Sequence, residues 1–154
     1  MRVISFEDLI DLCELNLGEK YVKDLVITMR SNDCLFHPGA TMPNAHVASL
    51  YKLRLENAKE NNMLGQELLE DYESIVSALL NIKSTDLALT ILYSEEHLFT
   101  VFYEPVSKKI LGVLKTKNNL SLKIMEEQQT YTVDKGLSSG FQKYSKGQFI
   151  RDWK

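Results

Sequence analysis

Apolar residues recur every three or four positions through the first half of the chain and gather into short runs, broken by hairpin-sized polar gaps, in the second. Ser5 precedes Phe6, Leu9, Ile10, Cys13 and Leu17, with Asp8 in the capping position, so a helix is expected here. Gly18 is its natural stop, because glycine accepts the left-handed conformation that ends helices. Glu19 opens a second helix, with Val22, Leu25, Val26 and Met29 on one face, that ends near residues 31–33. A third, over about 45–60, sets Val47, Leu50, Tyr51 and Ala58 to one side. A fourth, over about 64–82, carries the stripe Leu64, Leu68, Tyr72, Ile75, Val76 and Leu79, widened by Leu69 and Leu80. Asn61 and Asn62 separate the last two, the alternative being one long bent helix. Residues 32–44 are expected to be a loop, since Asn32, Asp33, Pro38, Gly39, Pro43 and Asn44 all favour turns. Its Leu35, Phe36 and Met42 should tuck against the body.

The pattern changes at Ser84-Thr85-Asp86. Residues 87–93, 98–103 and 110–116 are rich in β-branched, aromatic and leucine side chains, and the breaks between them are hairpin-sized. They predict an antiparallel meander. Residues 120–125 predict a fourth strand and 130–133 a weaker fifth. Apolar residues on both faces of the first two strands call for cover on both, supplied by the helices and then by the tail or another chain. The expected architecture is α+β: about four N-terminal helices packed on a C-terminal antiparallel meander of three to five strands. One domain should span residues 1–154: a helical part at 1–83, the meander at 84–133, and a basic, aromatic tail at 134–154.

Composition adds little until charge is divided along the chain. The 44% apolar and 25% charged fractions are ordinary for a globular protein. Residues 1–104 carry 8 Lys and Arg against 17 Asp and Glu, a formal −9, and residues 105–154 carry 10 against 4, a formal +6. The acidic helical region favours a basic partner and disfavours nucleic acid. Glu7, Asp8 and Asp11 interrupt any N-terminal export signal, and no stretch is apolar enough to span a bilayer, so a cytoplasmic location without membrane contact is expected. Two cysteines make no disulfide framework.

Three places could carry chemistry. Cys34-x-x-His37, with His46, has a spacing found in metal sites, and Cys34 with a histidine base could be nucleophilic. Packing residues are the more ordinary outcome for all three. Residues 136–140, flanked by Lys135 and Lys143, have the glycines and serines of an anion cradle but lack the phosphate-loop order. Lys135, Lys143, Lys146, Arg151 and Lys154, with Tyr144, Phe149 and Trp153, could hold single-stranded nucleic acid. Glu67, Glu70, Asp71 and Glu73 on the fourth helix form the expected acidic contact patch. Since no nucleophile elbow, zinc-protease helix or dinucleotide fingerprint is present, the expected function is non-catalytic protein binding without a cofactor. By analogy of class, this is how an acidic immunity protein or antitoxin inhibits its partner. The alternatives are a small metal- or Cys/His-dependent enzyme built on residues 33–46, nucleic-acid binding by the tail, and a homodimer.

Overall fold

The structure, a computed structural model, describes residues 4–62, 64–82, 86–125, 127 and 142–144. Two helices, α1 (Phe6–Leu15) and α2 (Val22–Ser31), precede strand β1 (Cys34–Pro43). Helices α3 (Asn44–Asn61) and α4 (Gln66–Asn81) follow, then β2 (Asp86–Tyr93), β3 (His97–Glu104), β4 (Lys109–Lys117) and β5 (Gln142–Tyr144). The five strands form one antiparallel sheet in the order β4-β3-β2-β1-β5. The fold is α+β as expected, but helices and strands interleave instead of falling into an N-terminal and a C-terminal half.

Two helix ends have a clear local cause, while α1 stops at Leu15 with Asn16 as its cap, short of Gly18. Ser5 Oγ accepts the Asp8 N–H at 3.0 Å and starts α1. Asn62, left-handed at φ 50, ends α3 and keeps it separate from α4. The four apolar residues expected on one face of α2 are all buried.

The principal correction concerns residues 32–44. They form an inner strand, not a loop: β1 pairs with β2 along its length and with β5 at Cys34–Phe36. Pro38 and Gly39 sit in a bulge that opposes Thr90, and Pro43 closes the strand. The Thr90 hydroxyl donates to the His37 carbonyl at 2.7 Å and bridges the interruption. Leu35 and Phe36 are buried as strand residues, and Met42 packs on the core.

Alternation along the strands then divides the core in two. On one face Phe36, Ala88, Leu92, Phe99, Val101 and Tyr103 pack against α1 and α2, with Phe6 and Phe36 edge to face at 5.5 Å. On the other Leu87, Phe102 and Leu114 pack against α3 and α4, with Tyr51 edge to face on Phe102 at 4.8 Å. Gly112 lies under Ile75, where a Cβ would come within 2.7 Å of Cγ1. The second face is therefore covered by a helix pair, where the tail or another chain was expected.

Residues 122–125 are also corrected, being helical where alternation predicts a strand. Ser121 explains this, since its hydroxyl accepts the Ile124 N–H at 3.2 Å and its carbonyl the Met125 N–H at 3.1 Å. The strand expected at 130–133 and the anion cradle at 136–140 lie outside the described residues. Among the described residues no helix is long and apolar enough to cross a membrane.

Candidate functional site

The four acids expected as one patch on α4 do not form one exposed surface. Glu67, Glu70 and Glu73 are exposed, but Asp71 is buried, at 7% exposure. Its carboxylate accepts from Lys20 Nζ at 2.6 Å and from the Tyr21 hydroxyl at 2.9 Å. Glu67 shares that hydroxyl at 3.0 Å and lies 3.7 Å from Lys20. Glu73, on another side of the helix, pairs with Lys59 of α3 at 3.4 Å. Glu70 accepts from Gln66 Nε2 at 3.1 Å. The hydrogen bond to Asp71 holds the Lys20 ammonium above its ordinary pKa. Burial first, then hydrogen bonds to Asp71 and Glu67, pushes the Tyr21 phenol up to about 12. Asp71 is a structural tie between α4 and the α1–α2 turn, so it is not part of an exposed surface.

The Cys34, His37 and His46 set comes apart because residues 34 and 37 lie on a strand. Residues three apart on a strand point to opposite faces of the sheet. Cys34 is buried against α1 and α2, and its thiol donates to the carbonyls of Asn32 at 3.4 Å and Thr28 at 3.6 Å. Burial pushes its thiol up to about 12, well above the ordinary range. His37 Nδ1 accepts the Gly39 N–H at 3.1 Å, inside the bulge. His46 is exposed on α3. Among the described residues no three His, Cys, Asp or Glu side chains are grouped as metal ligands. Of the tail, Gln142–Tyr144 is bound into the sheet as β5.

What the structure does assemble is a groove between α1 and one end of the sheet. Ile4, Leu12 and Leu15 give it an apolar wall, and Thr41, Ala88 and Tyr103 from three strands line the rest. Asp8, Asp11, Pro105 and Lys108 complete the lining. Its volume is about 180 Å³, below the several hundred typical of a small-molecule cavity and suited to one large side chain. Leu15 is 73% exposed beside it. The outer surface of α1 continues the acidic lining with Glu7 and Glu14, all four α1 acids being exposed, and α1 contains no basic residue. Glu7, Asp8, Asp11 and Glu14 were visible in sequence as acids at i, i+1, i+4 and i+7 of a helix. Nothing local could show that residues 41, 88 and 103 meet beside them. No protein family, curated protein or solved structure matches this chain.

Proposed function

We propose that this chain is a non-catalytic protein-binding module that engages a basic partner through the acidic face of α1 and the groove beside it. The observation that carries the reading is the row of four exposed carboxylates with no basic residue on its helix, next to an apolar notch one side chain wide. Such an arrangement steers a cationic surface by long-range attraction and gives an apolar anchor a place to desolvate. The α4 acids are the weaker choice, because Asp71 is buried and leaves no continuous exposed patch. An inhibitor that covers a basic active site, as acidic immunity proteins and antitoxins do, would use such a face.

A synthetic helical peptide of alternating lysine and leucine character is the probe. Neutralising α1 (Glu7→Gln, Asp8→Asn, Asp11→Asn, Glu14→Gln) should weaken its binding by about tenfold or more at low salt. The difference should vanish as the Debye length shrinks from about 10 Å at 0.1 M salt to about 3 Å at 1 M. Neutralising Glu67, Glu70 and Glu73 together should change it little. Equal losses from both sets would return the contact to diffuse charge and remove α1 from the proposal.

A further inference from the structure

We infer that the α1–α2 connection, residues 16–21, is a strap that shields the edge of β4 and holds the protein back from strand-to-strand pairing with a second copy. Among the described residues strand β4, nine residues long, ends the sheet, and such an edge is a template for another strand. The strap meets that edge with a side chain in place of a strand. Asn16 Oδ1 accepts the Ile110 N–H at 3.2 Å, and Asn16 Nδ2 donates to the Lys108 carbonyl at 3.3 Å. One carboxamide thus engages a carbonyl and an N–H two residues apart, as the N–H and C=O of a residue in an adjacent parallel strand would. The same Nδ2 donates to the Leu12 carbonyl at 2.7 Å, which fixes the carboxamide to the end of α1.

The far end of the strap is held just as firmly. Lys20 and Tyr21 reach past β4 to Asp71 on the opposite layer, and Tyr21 does so from a left-handed backbone at φ 69 that tyrosine rarely adopts. Asp24, just beyond, pairs with Lys115 of β4 at 2.9 Å. Lys109 and Lys117, both exposed, supply a second guard, since two β4 edges brought together would juxtapose like charges. The occupant of an uncovered edge is a second copy, because one β4 edge can pair antiparallel with another, and that pairing strengthens with salt, which screens the lysines.

The test compares the wild-type chain with Asn16→Ala and, separately, with the Tyr21→Phe, Asp71→Asn double variant, which releases the other end if the first fails to fold. Amide exchange at Ile110 and sedimentation over a wide concentration range, at low and high salt, are the readouts. An opened strap should speed exchange at Ile110 about tenfold, as loss of one hydrogen bond implies. It should also give a dimer whose population rises with salt. Faster exchange with a monomer under all conditions would overturn the inference, as would unchanged exchange at Ile110 in both folded variants.

Discussion

Gly39→Ala is expected to abolish folding, or to cost about 4–5 kcal/mol or more, the range reached only by severe core or backbone lesions. Gly39 sits at φ +75 in the β1 bulge, and a Cβ there would lie 1.4 Å from the Leu89 carbonyl oxygen. That contact is with backbone of the paired strand, so no side chain can swing aside to relieve it. The left-handed backbone adds its own penalty for any residue with a Cβ. Moving Leu89 would unzip β2 from β1 at the centre of the sheet, where both faces carry core. Gly18→Ala is the matched control: a Cβ there meets nothing within 4 Å, so its effect should stay within about 1 kcal/mol. Urea titration of the two variants checks the contrast. Similar midpoints would mean that β1 does not adopt this bulge.

Steep alkaline unfolding is the second large effect. Cys13 and Cys34 are buried at 0% and 1% exposure, and burial pushes each thiol from 9.0 up to about 12. Below pH 9 both thiols are protonated whether the chain is folded or not, and the full stability is present. Above it the unfolded chain releases protons that the folded chain retains, so stability falls as pH rises toward 12. A span of three pH units is worth about 4 kcal/mol per thiol, and two thiols approach the whole stability of an ordinary domain, about 5–15 kcal/mol. Tyr21, pushed from 10.0 up to about 12, steepens the upper end. Chemical denaturation at pH 8, 10 and 11 should show the decline, and Cys13→Ala with Cys34→Ala should flatten it. An unaltered decline in that double variant would place the titrating groups elsewhere.

Much of this fold was legible because local periodicity and local chemistry agree. The apolar spacing of α1 to α4 and the short β-branched, aromatic and leucine-rich runs of β2 to β4 located seven elements to within a few residues. Strand β1 was hidden by its own bulge: Pro38, Gly39 and Pro43 are turn residues by every local measure, and the pairing that makes them a strand joins Phe36 to Leu92 across the chain. Missing β1 also produced the Cys34–His37 metal reading, since only a strand sends those side chains to opposite faces. At 120–125 two local signals competed, and the Ser121 cap prevailed over alternation. Asp71 was misplaced for a simpler reason. It lies three residues after Leu68 and four before Ile75, within the buried stripe, and its spacing should have announced an interior carboxylate. Its partners, Lys20 and Tyr21, are fifty residues away and leave no local trace.

The role assigned to α1 rests on its four exposed carboxylates beside the groove, set against α4, whose Asp71 is buried in the body. Backbone amide shifts in a heteronuclear NMR titration with the lysine–leucine probe compare the two directly in a single sample. Perturbations should concentrate on residues 7–15 and on Thr41 and Tyr103 across the groove, and leave residues 66–81 unmoved. Perturbations centred on α4, or spread evenly over every acidic residue, would contradict the account.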